Sequence, residues 1–246
     1  MLNIIKANLS RLFKNKLFIA GCILAVVITI YFIDQAEIIL DMHFRSIEKA
    51  HQLISIGVIM FISIFAPVFQ SVEYTNGVIR NKVAMGYKQS EIYAAHLITM
   101  IAASLTIILC WIVGGLVAGV PVSPWLITYS VRLFFSMIAY SSFMTFIGMR
   151  FRKVATSASL GIVAFQGAFT ATIIIFMFVS RTWQTLLGKI LVIVGNGSAL
   201  GRWFANSQLS DPEINTSMIV SIIISLVMAV IYYMIGSFRI NKRDLQ

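Results

Sequence analysis

Acidic residues are scarce in this chain, nine among 246, and all charged residues together make up only 11%. A soluble domain of this length needs a far larger charged surface. With 59% apolar residues and a mean hydropathy of +0.90, that class does not fit. Cysteine occurs twice, at Cys22 and Cys110, each inside an apolar run, so no disulfide framework is indicated. Histidine occurs three times, at His43, His51 and His96, without the spacing of a zinc pair. His43 and His51, among acidic neighbours, read as solvated residues on an amphipathic helix. A phosphate-binding loop GxxxxGK[ST] is missing too: Gly188–Lys189 is followed by Ile190 and lacks the leading glycine, so this chain is not expected to hydrolyse ATP or to be an enzyme. Ser198, in Gly197–Ser198–Ala199, departs from a GxSG pattern and reads as loop chemistry. Ionisable residues deep in the apolar runs are nearly absent, which disfavours a proton- or ion-driven carrier; Arg132 and His96 lie close enough to span ends to reach the interface.

What the chain has instead is six apolar stretches, each close to the roughly 20 residues that cross a hydrocarbon core. They run from about Leu17 to Ile33, Leu53 to Phe69, Tyr93 to Ala118, Trp125 to Met149, Val154 to Val179 and Met218 to Phe238. The alternating polarity of a β-barrel is missing, and backbone in lipid must bond within its own segment, so these are predicted helices. The expected fold is an all-α membrane protein occupying residues 1–246 as one domain.

The net charge of +10 is not spread evenly and does not point to nucleic acid. Lys6, Arg11, Lys14, Lys16, Arg80, Lys82, Lys88, Arg150, Arg152, Lys153, Arg239, Lys242 and Arg243 fall on one side of a six-span topology. These thirteen of the 19 basic residues face only Glu73, Glu91 and Asp244, which accounts for the whole net charge. The positive-inside rule then places both termini in the cytoplasm of a multi-pass protein in the cell membrane. Residues 1–16 read as an interfacial helix, with Leu2, Ile5, Leu9, Leu12 and Phe13 on one face. The apolar run after Lys16 is long and no small-x-small site closes it, so the first span is expected to be uncleaved. Residues 182–209 contain Lys189, several glycines and Arg202, and are expected to form an outer re-entrant or interfacial segment rather than a seventh span.

Within the spans the polar residues are small. Thr156, Ser159, Gln166 and Thr170 share one face of the fifth, while Ser217, Ser221 and Ser225 recur every four residues into the sixth, continued by Ala229 and Gly236. The third ends in Gly115-x-x-x-Gly119. Close helix packing explains the serines and glycines; Gln166 needs a polar partner or a substrate path, since a mid-membrane amide is costly alone. Pro67 and Gln70 would allow a local break at the inner end of the second span.

Between the second and third spans, residues 71–92 form a short excursion on the basic side. Val78, Ile79, Val83 and Met85 are apolar residues that need a surface to pack on. Arg80, Lys82 and Lys88 suit an acidic or lipid-headgroup surface. Here the sequence resembles the type-2 family of ABC transporter permeases, whose members show Glu-x-x-x-Gly-[Thr/Val]-Ile-[Lys/Arg] after the second span. Glu73, Gly77, Val78, Ile79 and Arg80 match that pattern, and Tyr87–Lys88 followed by Glu91–Ile92–Tyr93 matches its continuation. The run Asn76 to Lys82 is most similar to small permeases of Gram-positive bacteria linked to bacitracin or lantibiotic resistance.

The resemblance implies that Glu73, Gly77, Ile79, Arg80, Tyr87, Lys88 and Glu91 belong to a coupling segment that takes up force from separate ATP-binding subunits, which hold the ATP and Mg; this chain then has no cofactor of its own. It also implies a second permease copy or paralogue, and a substrate path between the two, for which Gln70, Ser159, Gln166 and Thr170 are the candidate lining residues. The spans' weakly polar surface suits an amphipathic peptide, a hydrophobic drug or a lipid. Two other readings compete: a membrane immunity protein that sequesters a peptide, and a membrane-embedded enzyme. The latter needs converging acidic, histidine or serine groups.

Overall fold

The computed structural model describes residues 1–35, 47–151, 153–182, 185–201, 203 and 217–240. Among these the ordered elements are all helices: α1 (Leu2–Lys14), α2 (Lys16–Asp34), α3 (Ile47–Ile54), α4 (Ile56–Thr75), α5 (Val78–Ala84), α6 (Gln89–Val117), α7 (Pro124–Arg150), α8 (Val154–Thr182), α9 (Leu186–Gly197) and α10 (Met218–Ile240). Six apolar segments are long enough to cross a membrane: α2, α3 with α4, α6, α7, α8 and α10. The chain is therefore built as a multi-pass membrane protein, and the six expected spans are present.

Helix ends follow local chemistry. Asn15 breaks the chain between α1 and α2, and its Oδ1 accepts from Leu17 N at 2.9 Å and Phe18 N at 3.2 Å, capping the first span. Ser123 caps α7 through Leu126 N at 3.2 Å and also donates to Glu48 at 2.5 Å, which ties the first turns of α3 and α7 together. At the end of α6, Gly119 takes φ +92°, and Val120 N reaches back to Gly115 O at 2.9 Å, closing the helix with a left-handed glycine. Of the Gly115-x-x-x-Gly119 pair, then, only Gly115 is a packing residue, set against the His51 ring; Gly119 is a terminator.

The second span differs most from expectation. It does not break at Pro67 but continues to Thr75. Proline has no N–H, so the Ser63 carbonyl loses its i+4 donor. That carbonyl is the surface Gly161 of α8 packs against.

Polar side chains bridge the helices inside the bundle. Between α4 and α7 lie Ser63–Tyr140 at 2.6 Å and Gln70–Thr145 at 3.1 Å, with Ser55–Tyr129 at 2.7 Å just above α4. Ser104–Ser141 at 2.8 Å links α6 to α7, and Ser142 donates to Ala229 O of α10 at 3.0 Å. Such bonds replace the hydrophobic drive that lipid cannot supply between helices. Of the series expected to pack, Ser221, Ser225, Ala229 and Gly236 of α10 are buried, whereas Ser217 is exposed and accepts from Val220 N at 3.3 Å at the helix start.

His51 is not solvated. It is fully buried, stacks on Trp111 with ring centroids 3.9 Å apart, and the two residues exchange hydrogen bonds to each other's backbone carbonyls at 3.1 Å. His43 lies outside the described residues. α9, at twelve residues, is about 18 Å long, too short for a span. Residues 183, 184, 202 and 204–209 of the expected re-entrant segment lie outside the described residues. Ser198 acts as a cap, donating to Gly195 O and accepting from Gly201 N, both at 2.9 Å.

Candidate functional site

Glu73 lies in the last turn of α4 and is fully buried. A lone buried carboxylate would cost several kcal/mol, and three elements supply its compensation. Lys82 of α5 donates to Glu73 Oε2 at 2.6 Å, Arg11 of α1 donates to Oε1, and His96 of α6 places Nε2 3.2 Å from Oε2. Lys82 Nζ also donates to Asn8 of α1 at 3.0 Å, and the Arg11 guanidinium lies over the Phe69 ring, 5.9 Å from its centroid. One carboxylate thus ties α1, α4, α5 and α6 into a single unit.

An apolar cluster lies beside it. Ile4 of α1, Ile79 of α5, Ile92, Tyr93 and Ala95 of α6 and Met149 of α7 pack together, with Val83, Tyr87 and Tyr233 at the margin. On α5, residues 79, 82 and 83 share the inward face, since positions three and four apart coincide on a helix. Arg80, Asn81, Ala84 and Met85 are left outward, and Met85 is 68% exposed.

The segment itself is shorter than the expected 71–92. Residues 71–75 belong to α4 and 89–92 to α6, leaving a seven-residue helix between two left-handed glycines, Gly77 at φ +69° and Gly86 at φ +87°. A methyl group at Gly77 would meet nothing within 4 Å, so a substitution there tests backbone conformation alone. Gly77→Val should cost about 1–2 kcal/mol and Gly77→Asn clearly less, read as thermal unfolding in detergent; equal unfolding temperatures would refute the conformational account.

Of the seven residues the resemblance assigned to coupling, Glu73 and Ile79 are buried, Gly77 and Tyr87 half-buried, and Arg80 and Lys88 exposed. Glu91 caps α6, its Oε2 accepting from Lys88 N at 3.2 Å. Lys82 does not face an outer acidic or lipid surface with Arg80; it is 7% exposed and turned inward. Asn8 and Arg11 were not singled out by sequence, and His96 was read only as near a span end. The available signal was the α5 helical face, which puts Lys82 beside Ile79.

The N-terminal helix also presents a different face from the expected stripe. Ile4, Asn8 and Leu12 are buried, Ile5 and Leu9 half-buried, while Leu2 and Phe13 are exposed.

The four candidate path residues separate. Gln70 is buried between α4 and α7, bonded to Thr145 and packed against Gly148. Ser159, Gln166 and Thr170 are exposed on α8, as is Thr156. The amphiphilic face of α8 therefore finds no cover among the described residues.

The sequence matches no protein-family profile and no curated protein.

Proposed function

We propose that the chain is the membrane permease subunit of a type-2 ABC transporter. In this reading it works in a bacterial plasma membrane with both termini in the cytoplasm, and expels an amphipathic peptide, antibiotic or lipid-like substrate. ATP and Mg are held by a separate subunit. The observation that carries the reading is the Glu73 cluster. A movable docking helix is useless if it swings freely, and Glu73 clamps α5 to the foot of two spans and to the N-terminal helix. The outward face of α5, with Arg80, Asn81, Met85 and Lys88, is left available to a partner. Force applied there is delivered to α4 and α6 with little slack.

The exposed face of α8 supports the second half of the reading. Thr156, Ser159, Gln166 and Thr170 turned toward lipid would leave an amide unsatisfied in hydrocarbon. A second copy or paralogue across this face, with the substrate path between, gives those groups partners. Gln166→Leu is then expected to change substrate range or apparent affinity several-fold with thermal stability held within about 0.5 kcal/mol. A change in stability alone would assign Gln166 to packing.

The direct test is purification of the chain from its native membrane in a mild detergent, with identification of what accompanies it. A stoichiometric ATP-binding subunit is expected, its ATPase stimulated by amphipathic peptides. Recovery of this chain alone would overturn the transporter reading in favour of sequestration or membrane enzymology.

A further inference from the structure

The first and third spans meet through their backbones. A first side-chain carbon at Gly114 of α6 would lie 2.9 Å from Val26 O and 3.2 Å from Val26 Cα of α2, an approach that a small residue permits. As first and third spans, the two helices run in the same direction across the membrane. Cys22 stands four residues before Val26 and Cys110 four before Gly114, so the same two faces bring the cysteines together one turn earlier. The two thiols interact directly, and both are free. A disulfide needs Cα atoms about 4.4–6.8 Å apart, a spacing that helices in backbone contact offer.

The chemistry around the pair is bare. No charged residue lies between Lys16 and Asp34 on α2, or from Leu97 to Val117 on α6, so neither helix carries a base that would activate a thiol toward reagents in water. Each cysteine is half-buried, within reach of a small reagent dissolved in lipid. What favours reaction is the neighbour, since a second sulfur held beside the first acts at a high effective concentration. The contact is otherwise unfastened. Thr29, the hydroxyl beside Gly114, bonds to Ala25 O of its own helix at 2.6 Å.

We propose that Cys22 and Cys110 are a redox-sensitive pair, which a lipid-soluble two-electron acceptor of the quinone or diazene class converts into a disulfide that locks α2 on α6. Two S–H bonds break and one S–S bond forms. The two electrons and two protons pass to the acceptor, turning a quinone into its quinol or a diazene into its hydrazine. α2 follows directly on α1, which holds Asn8 and Arg11, and α6 carries His96. The lock therefore fixes two arms of the Glu73 cluster relative to each other. It stands without the transporter reading.

The test treats the full chain in its membrane with the diazene diamide, then quenches with acid, denatures, and labels remaining thiols with a maleimide polymer that slows migration. The chain has only two cysteines, so the count is direct. Wild type is expected to take two labels before oxidation, none after it, and two again after reduction, while remaining a monomer on a non-reducing gel. Cys22→Ser and Cys110→Ser should each keep their single label throughout. Oxidised wild type should unfold roughly 5–15 °C above the reduced form in detergent, with no such shift in the single variants. Retention of both labels by oxidised wild type, loss of the label in a single variant, linkage between chains, or equal unfolding temperatures of the two wild-type forms overturns the proposal. The wild-type counts stand by themselves if either variant fails to fold.

Discussion

Replacing Glu73 by Ala should destabilise the chain by about 3–5 kcal/mol, the usual result of removing one member of a buried ion pair. The reason is what remains behind. Lys82, 7% exposed, would keep only the Asn8 carbonyl oxygen as an acceptor, a neutral partner for a full charge. Arg11 is less affected, since its side chain is 38% exposed and can turn to water. The loss should be visible as a lower unfolding temperature in detergent and reduced abundance in the membrane. Lys82→Met alone should also be costly, because it leaves Glu73 with Arg11 and His96 only. The double variant Glu73→Gln/Lys82→Met should recover part of the loss, with a coupling energy of about 0.5–3 kcal/mol in a double-mutant cycle. If the proposed function holds, that rescued variant should still fail in peptide-stimulated ATP hydrolysis, since neutral partners no longer fasten α5 to the spans. Unchanged stability in Glu73→Ala, with normal transport, would refute both the clamp and its role.

Gly161→Leu is the second large effect, and its control lies six residues further along the same helix. A first side-chain carbon at Gly161 would overlap the Ser63 backbone carbonyl, and a backbone atom cannot rotate out of the way. α8 must then move off α4, which costs about 1–3 kcal/mol or more by the usual measure of overpacking. The two helices would also lose the contact between the glycine Cα–H and a carbonyl freed by Pro67, a weak bond of about 0.5–1 kcal/mol. Gly167→Leu makes the same chemical change in the same helix but meets open space, so its unfolding temperature should stay near wild type. Similar losses in both variants would mean that helix composition, not the α4–α8 approach, sets the outcome.

The spans were legible because the bilayer imposes a single coarse demand, length and apolarity, that composition satisfies visibly. The sequence also located the α5 excursion and its glycines, since a left-handed turn leaves few alternatives to Gly. What it could not display is pairing at a distance. Arg11 and Glu73 are 62 residues apart, and nothing local in either segment names the other. His51 looked solvated because its neighbours are charged; the Trp111 ring that covers it comes from another span. Gln166 and Gln70 look alike in sequence, each an amide near apolar neighbours. Only the packing separates them, Gln70 against Thr145 and Gln166 outward on α8.

The proline in α4 has a mechanical consequence. A helix resists bending through its ladder of backbone bonds, and at Pro67 one rung is absent. The ring there also crowds the carbonyl four residues back. α4 is accordingly two stiff rods joined at a compliant point, and the lower rod, residues 68–75, is the one that carries Glu73. Displacing the foot of the span therefore costs less than bending an unbroken helix. The joint lies against Gly161 of α8, so a lever pushed at its charged end would transmit its motion where that glycine meets the Ser63 carbonyl.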